Sequence, residues 1–197
     1  MPSPDIDIQV DQRQLRGVEQ MLVNIPRGFP KVVSRALNKV ATSGRKTIID
    51  RVQRELNITK RQLKFDITLR RATYRRLMAV IGIHGGRFPL SFFRGTRELK
   101  RGGISYKIGR QRKSIRNAFA ATMPGGHKGF FIRKEIGGKA AGRLPIVELH
   151  GPSVPMVVSN IAEFARAVFE VKMAARAAKE IGTQVEVLIM QEARKSG

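Results

Sequence analysis

The side chains that could carry out acid–base or metal chemistry are few in this sequence. The three histidines, His84, His127 and His150, each lie next to a glycine at the end of an apolar run. Single histidines in turns are usually surface or capping residues, and there is no H-x-x-x-H pair to hold zinc on a helix. The chain has no cysteine, which excludes disulfides, thiolate metal sites and cysteine nucleophiles. We therefore predict no catalytic residue, no metal site and no cofactor.

Three other patterns invite comparison with known active sites. The glycine-rich segments 124–129 and 137–142 lack the G-x-x-x-x-G-K-[ST] sequence of phosphate loops, and hairpin turns explain them more simply. The segment 150–153 lacks the G-x-S-x-G sequence of a nucleophilic serine. Asp5, Asp7 and Asp11 could form the acidic cluster of a metal-dependent nuclease, although charge on an edge strand accounts for the first two. A plasmid-nicking assay with magnesium, repeated after Asp5→Asn and Asp7→Asn, tests that alternative.

The charge of the chain is concentrated in its middle. The 197 residues include 38 Lys plus Arg and 15 Asp plus Glu, which gives a formal charge of +23. Residues 31–143 hold 29 of these bases and five of these acids, whereas the flanking segments are close to neutral. Such a field attracts polyanions over a Debye length of about 8 Å at physiological salt. The pattern predicts a polyanionic partner: nucleic acid, an acidic protein surface or an anionic lipid surface.

The densest positive segment spans residues 94–116, where nine bases accompany one acid. Burying even one unpaired charge costs several kcal/mol, so these side chains cannot pack inside a domain. The segment predicts a protruding basic hairpin, or a partly disordered loop, that meets DNA or an acidic neighbour and has little role in folding. The predicted contact residues are Arg94, Arg97, Lys100, Arg101, Lys107, Arg110, Arg112, Lys113 and Arg116.

Phe88, Phe92 and Phe93 form the one cluster of aromatic residues interleaved with arginines. The cluster could stack nucleic-acid bases, but it is also typical of a hydrophobic anchor that is buried or faces another subunit, and we favour the anchor. Further along, Pro152 and Pro155 remove backbone donors and stiffen the chain, which suits a fixed elbow between the last strand and the final helix. We assign these five residues to subunit contacts and to the elbow.

Hydrophobic periodicity predicts an α+β fold, a single domain over residues 1–197. A strand and helices occupy residues 1–57, an antiparallel sheet with the basic hairpin occupies residues 68–150, and a helical segment occupies residues 159–195. The clearest helix covers residues 30–56, where apolar residues recur every three or four positions. Its predicted core stripe is Val33, Leu37, Val40, Gly44, Ile48, Val52 and Leu56.

Finer predictions concern the ends of these elements. Residues 5–10 alternate as a half-buried strand, Asp11 is placed to cap a helix that continues to about residue 25, and Thr59 is placed to cap a short helix. Runs at 77–83, 104–108, 115–123, 129–133 and 144–149 predict strands of one meander, separated by glycine pairs. In the final helix the predicted apolar stripe is Ile161, Phe164, Val168, Val171, Ala175 and Ala178. Gly182 is expected to kink or end that helix, and residues 185–190 fit either a strand or a helix, of which we favour the helix.

Four segments carry a family resemblance. They are residues 30–46 (PKVVSRALNKVATSGRK), 56–63 (LNITKRQL), 129–133 (GFFIR) and 143–155 (RLPIVELHGPSVP), of which the last is the most specific. Together they resemble the minor tail protein Z family of long-tailed bacteriophages and prophages, from about residue 12 to about residue 181. The stretch 181–190 is more apolar than that family pattern.

The resemblance implies a structural virion protein, a tail-completion protein with no catalytic residues. It would be assembled in the host cytoplasm as a ring, which we expect to have six subunits, at the neck where the tail meets the head–tail connector. Expected partners are the neighbouring neck, tail-tube and terminator proteins and the double-stranded DNA that passes through the ring, with no membrane involved. The free chain is expected to stay monomeric until salt, DNA or an acidic partner screens its charge.

A different class of protein would explain the same charge. Ribosomal proteins and other sequence-nonspecific nucleic-acid-binding proteins often carry a comparable positive charge. A ribosomal protein usually has basic extensions at its ends, whereas both ends of this sequence are neutral to slightly acidic. The resemblance to the tail protein is therefore favoured, with a nucleic-acid-binding protein as the alternative.

Overall fold

The computed structural model describes residues 5–8, 12–133 and 145–196 of the chain. Within the helices, the side chains of 12–14, 161–170 and 196 are not among the described ones. Three predictions fall outside these residues: the cap at Asp11, the end of the first strand at residues 9–10, and the glycine turn at 137–138. The same holds for the predicted core side chains Ile161, Phe164 and Val168.

The described residues form an α+β fold, as predicted, with four α-helices and a short 3-10 helix at Leu90–Phe92. The helices are α1 (Gln12–Met21), α2 (Gly28–Leu56), α3 (Lys60–Asp66) and α4 (Val154–Ser196). The strands are β1 (Ile6–Ile8), β2 (Ile67–Arg70), β3 (Ala79–Ile83), β4 (Arg87–Pro89), β5 (Arg97–Glu98), β6 (Ile104–Ile108), β7 (Gln111–Ile115), β8 (Ala118–Thr122), β9 (Lys128–Arg133), β10 (Ile146–Glu148) and β11 (His150–Ser153).

Two compact units share these elements, and each is assembled from separate stretches of the chain. Unit 1 comprises residues 1–48, 66–84 and 158–197, and unit 2 comprises residues 49–65 and 85–157. The long helices α2 and α4 each contribute residues to both units.

Unit 1 contains a three-stranded antiparallel sheet in the order β1-β3-β2. All five residues of the central strand β3 are buried, whereas in the edge strand β1 the exposed Asp7 lies between two buried isoleucines. This alternation confirms the half-buried first strand over its described part. A hydrophobic cluster joins the helices of the unit through Leu22, Val32, Ala36, Ile181, Val185 and Leu188, with Leu15, Val18 and Ile25 packed against it.

Unit 2 contains three small antiparallel sheets, in the orders β10-β9-β8, β11-β4 and β5-β6-β7. The strands predicted as one meander are therefore divided among several sheets, and strands β2, β4 and β11 were not predicted. Alternating or β-branched residues identify a strand but do not determine its partner, because pairing depends on residues far apart in the chain. The pairing of β11 with β4 across His150↔Pro89 is such a long-range contact.

Helix α2 confirms the predicted amphipathic pattern. Every member of its predicted stripe is buried, including Gly44, and the helix ends at Leu56 as expected. The next residue, Asn57, has a left-handed φ of 58° and donates its N–H to the Gln53 carbonyl, which is an αL C-terminal cap. Thr59 directly precedes α3, as predicted, and the Gln62 side chain accepts hydrogen bonds from the Thr59 N–H and hydroxyl, of which the first is one half of a capping box.

Helix α4 corrects two predictions and confirms a third. Residues 185–190 are helical, as favoured, because Val185 and Leu188 continue a buried stripe from Ile181 at spacings of four and three residues. Gly182 does not end the helix, since this packing outweighs the cost of about 1 kcal/mol for a helical glycine. The predicted stripe was out of phase, because Val171 is 69% exposed and Ala175 is also exposed. Met173 and Ala177 are the buried residues there.

Candidate nucleic-acid interface

The predicted basic segment folds as the sheet β5-β6-β7 of unit 2, so the hairpin prediction is confirmed. Strands β6 and β7 pair antiparallel from Ile104↔Ile115 to Ile108↔Gln111, and β5 adds the pairs Arg97↔Ser105 and Glu98↔Ile104. A two-residue turn, Gly109-Arg110, joins β6 to β7. Gly109 has a φ of 56°, which is typical of the first position of a primed hairpin turn. The alternative of a disordered loop is therefore wrong.

The register places the bases on two different faces of this sheet. Directly paired residues in an antiparallel ladder point to the same side. Arg97, Lys107 and Arg112 therefore share one face with Ser105 and Ser114. We call this the basic face.

The opposite face carries the apolar residues and one base. Ile104, Tyr106, Ile108 and Ile115 share it with Lys113, which pairs with Tyr106. Of the other predicted contact residues, Arg110 lies in the turn of the hairpin. The rest lie in segments next to the strands: Arg94, Lys100, Arg101 and Arg116.

Eight of the nine bases are exposed, and Lys107 is half-buried. No carboxylate in the described part of the chain lies within ion-pair distance of any of them. The single acid of the segment, Glu98, accepts a hydrogen bond of 2.6 Å from the Ala120 N–H through its Oε1. Because these bases have no described carboxylate partner, their charge is available to a polyanion.

One arginine of the basic face is held in place by neutral groups. Arg112 Nη1 donates to the Ser105 hydroxyl at 2.8 Å and to the Gly95 carbonyl at 3.4 Å. These bonds fix the guanidinium without neutralising it. Arg112 is therefore preorganised, and less side-chain entropy is lost when it contacts a phosphate.

The end of this sheet that lies away from the Gly109-Arg110 turn is held in place by contacts within unit 2. Ile104 is fully buried, and a Cβ at Gly103 would lie 2.5 Å from the Ile115 carbonyl oxygen, so only glycine fits there. Asn57 binds the start of the segment twice, because its carbonyl accepts the Arg94 N–H and its side-chain amide donates to the Arg94 carbonyl, each at 3.0 Å. Ile104 thus belongs to the folded core, and a negligible folding role remains a prediction for the basic side chains of this segment only.

The hairpin turn also lies next to the end of α2. A Cβ at Gly109 would lie 3.1 Å from the Glu55 carbonyl oxygen. Exposed bases on the end of α2 and on α3 carry the same sign of charge: Arg51, Arg54, Lys60, Arg61 and Lys64. Arg51 is ion-paired with Glu55 at 3.3 Å, and Lys60 is ion-paired with Asp50 at 2.6 Å. Nothing in the order of the chain places this end of α2 beside the hairpin, so its bases are not among the contact residues predicted from the sequence.

The phenylalanine cluster separates into two buried rings and one exposed ring. Phe88 and Phe93 are 8% and 2% exposed, and a Cβ at Gly151 would lie 2.5 Å from the Phe93 ring. Phe92 is 39% exposed, and its ring centroid lies 6.2 Å from that of Phe88. Phe88 and Phe93 are therefore buried anchors inside unit 2. Phe92 is the member of the cluster that is exposed enough to contact another subunit.

The predicted elbow is a direct junction of strand and helix. Pro152 lies in β11, where pairing with β4 shifts register, and Pro155 lies in the first turn of α4, which tolerates its missing N–H. The Ser153 hydroxyl accepts the Met156 N–H at 3.4 Å and so caps the helix. Both prolines are half-buried.

Two of the three histidines are not isolated, contrary to their description as single turn residues. His127 Nε2 lies 2.8 Å from Glu148 Oε1, and His150 Nε2 lies 3.9 Å from Glu148 Oε2. The sheet β10-β9-β8 brings His127 to Glu148, which no local spacing could have indicated. Among the described residues no group of three or more potential ligands is arranged to hold a metal ion.

The remaining titratable candidates lie in unit 1. Asp5 Oδ1 accepts the Ile83 N–H at 3.2 Å and so adds a side-chain hydrogen bond beyond the last β1–β3 backbone pair. His84 donates its N–H to the Asp66 carbonyl at 2.7 Å. Burial raises the pKa of Asp66, and the charge of His84 opposes that shift only in part. These contacts are structural in kind.

Comparisons with known proteins give a single family. No curated protein and no solved structure matches the chain significantly. Among the described residues, no helix has the length and hydrophobicity that crossing a membrane requires. A family model described as prophage minor tail protein Z (GPZ) matches residues 15–191, which includes the stretch 181–190. The chain therefore belongs to the prophage minor tail protein Z family and is a structural protein of a phage tail.

Proposed function

We propose that this tail protein is a tail-completion subunit that forms a closed ring, with six subunits expected, at the head-proximal end of the tail. The ring would surround the DNA path and join the tail tube to the connector. The observation that carries the proposal is the basic face, together with the bases next to it, in a member of a structural tail-protein family. All of these bases except the half-buried Lys107 are exposed, and none of them has a described carboxylate partner.

The basic element has the physical properties that a DNA-facing surface needs. Its bases lie on a hydrogen-bonded sheet whose apolar residues contact the rest of unit 2. The positive charge can therefore contact DNA while the subunit stays folded. A ring is closed by heterologous contacts, in which one surface of a subunit meets a different surface of its neighbour. Phe92, exposed beside the buried Phe88, is the residue of the aromatic cluster that we assign to such a contact.

A DNA conduit lined uniformly by bases would hold the genome instead of letting it pass. Affinity falls with salt to a power of about 0.9 for each phosphate contact, so many simultaneous contacts bind tightly. We therefore infer that the bases are divided between the DNA path and acidic surfaces of neighbouring neck and tail-tube proteins. The role is structural, with no reaction and no cofactor.

The test is electron microscopy of intact particles. The protein is located by the extra density of a small tag in one sample and by the density that is missing from particles made without the protein. The expected result is a ring of six copies at the neck, with unit 2 lining the lumen. A dimer, or density at the distal tail tip, would refute the proposal.

The free protein supplies a second test. Because +23 on every subunit opposes association, sedimentation should show a monomer at low salt and larger species as salt is raised. Association that weakens with salt would show that repulsion between like subunits is not the controlling term.

A further inference from the structure

The loop between β2 and β3 in unit 1 carries a second concentration of positive charge that the sequence analysis did not select. From Ile67 to Met78 there are four arginines and no acid. All four side chains are exposed, and so is Tyr74, at 57%. The arginines are Arg70, Arg71, Arg75 and Arg76.

Hydrogen bonds build this loop into a defined shape. Thr73 and Arg76 exchange backbone hydrogen bonds of 2.9 and 3.1 Å, which leaves Tyr74 and Arg75 as the two residues at the tip. The Thr73 hydroxyl also accepts the Arg76 N–H at 3.2 Å. The tip is thus closed as a tight hairpin turn, which fixes the backbone that carries Tyr74 and Arg75.

A side chain of α2 clamps the base of the same loop. The Asn38 amide donates to the Ala72 carbonyl at 3.0 Å, and its oxygen accepts the Ala72 N–H at 2.8 Å. Ala72 is 5% exposed, so both hydrogen bonds lie at a buried point. The clamp attaches the arginine-rich tip to the rigid helix and reduces the entropy that binding would cost.

Next to the loop lies an open groove of about 550 Å³, lined by α2, α4 and Arg71. Its other cations are Lys39, Lys46 and Arg176, and its one acid is Glu180. Lys39 Nζ lies 2.7 Å from Glu180 Oε1. Lys46, Arg71 and Arg176 have no described carboxylate within ion-pair distance.

Glu180 keeps its charge inside this basic groove. Burial by itself would raise the pKa of Glu180, but hydrogen bonds from Lys39 and Gln184 and the charges of Lys39 and Arg176 outweigh burial and lower that pKa. The carboxylate therefore orients Lys39 and offsets one positive charge. The groove and the loop remain strongly positive together.

We propose that this loop and groove, which we call the loop–groove surface, bind the phosphate backbone of double-stranded DNA without sequence preference. Protein–DNA interfaces are polar and positively charged, whereas protein–protein interfaces have an apolar centre. The groove has one apolar lining residue, Val40, which is 1% exposed. Lysines and arginines from three elements give this surface several cationic contacts for a polyanion, and Tyr74 adds an exposed aromatic ring at the tip. The inference concerns the free chain and does not depend on the ring.

Salt-dependent DNA binding by the full chain tests the inference. A variant with Arg71→Gln, Arg75→Gln and Arg76→Gln is compared with a control that loses the same charge at exposed sites outside the groove, Arg16→Gln, Arg194→Gln and Lys195→Gln. Fluorescence anisotropy with a labelled duplex is measured between about 50 and 200 mM salt, a range in which phosphate contacts dominate. The loop variant should bind about tenfold more weakly or worse, with the slope of log K against log salt reduced by about 0.9 per lost contact. Equal slopes for the loop variant and the control would overturn the proposal.

A second measurement locates the contact at the loop tip. The chain has two tyrosines and no tryptophan, so Tyr106→Phe leaves Tyr74 as the only strong intrinsic fluorophore. Titration with duplex DNA should quench this Tyr74 fluorescence, with a midpoint that moves to higher DNA concentration as salt is raised. Unchanged Tyr74 fluorescence at saturating DNA would overturn the proposal. So would a loop variant that binds DNA normally but is no longer incorporated into particles, because the partner of the loop would then be an acidic protein.

Discussion

The two basic regions of this protein display charge in different ways. In the β5-β6-β7 sheet of unit 2, three bases share one face, Lys113 lies on the other, and the rest lie in the turn and the flanking segments, while buried residues such as Ile104 hold the sheet in place. In the β2–β3 loop of unit 1, charge is presented at a tip that one helix side chain, Asn38, attaches to α2. The first region is the denser in sequence, and the second depends more on a single side chain. Charge density along a chain therefore says little about how firmly that charge is positioned.

The largest expected effect on stability comes from the apolar support of each region. Leu37→Ala beside the clamp, Ile48→Ala further along α2, and Ile104→Ala behind the basic face should each cost about 2–4 kcal/mol, because each removes buried side-chain volume. Thermal and urea unfolding of the three variants measure this cost. An unchanged melting temperature for Leu37→Ala and Ile48→Ala would place that stripe outside the core, and a loss confined to particle assembly would make it a subunit contact.

A smaller loss of stability is expected from replacing the two asparagines, Asn38 and Asn57, that hold the basic regions in place by hydrogen bonds. Asn38→Ala leaves the buried N–H and carbonyl of Ala72 without their partner, at a cost of about 1–3 kcal/mol. Asn57→Gly keeps the left-handed backbone and the Arg94 N–H bond, so it should cost less than Asn57→Ala, which adds strain at a φ of 58°. Urea unfolding gives the order. If Asn57→Ala were no more destabilising than Asn57→Gly, the left-handed backbone at this position would not contribute measurable strain when a β-carbon is present.

Acidification should weaken unit 1 through Glu180. Its pKa is lowered in the folded state, so its contribution is present above the unfolded-state pKa and is lost as pH falls through the folded-state value. A Glu180→Gln variant lacks this term, and its stability should fall less steeply than that of the wild type as pH is lowered into the acidic range. The expected difference is below about 1 kcal/mol, because Lys39 is largely exposed. Parallel pH slopes for both proteins would show that the Lys39–Glu180 pair contributes nothing measurable.

The smallest effect on stability is expected from the bases themselves. Changing Arg97, Arg110, Lys113 and Arg116 to Gln should leave the melting temperature nearly unchanged, because all four side chains are exposed and without a described carboxylate partner. Nonspecific DNA affinity should fall, with up to about 0.9 lost from the salt slope per lost phosphate contact. A misfolded variant would show that these side chains, and not only their apolar neighbours, support the sheet. An unchanged slope would leave the end of α2 or the loop–groove surface as the DNA-facing part.

Local sequence patterns are enough to identify many of the individual helices, caps and turns. The three- and four-residue spacing of α2, the capping position at Thr59 and the glycine turns each depend on a few neighbouring residues, so local order is enough to identify them. The charge of residues 94–116 and the family motifs were also readable without a fold.

Which of these elements contact each other depends on long-range packing and could not be predicted from local patterns. The partition of the strands among several sheets, the phase of the buried stripe in α4 and the pairing of His127 with Glu148 depend on residues far apart in sequence. The loop–groove surface is the plainest case, because Asn38 and Arg176 are unremarkable in sequence and become part of one surface only when α2 and α4 lie beside the β2–β3 loop. Long-range packing selects among local patterns that the sequence leaves equally open, and here it also decides which of the many bases act together.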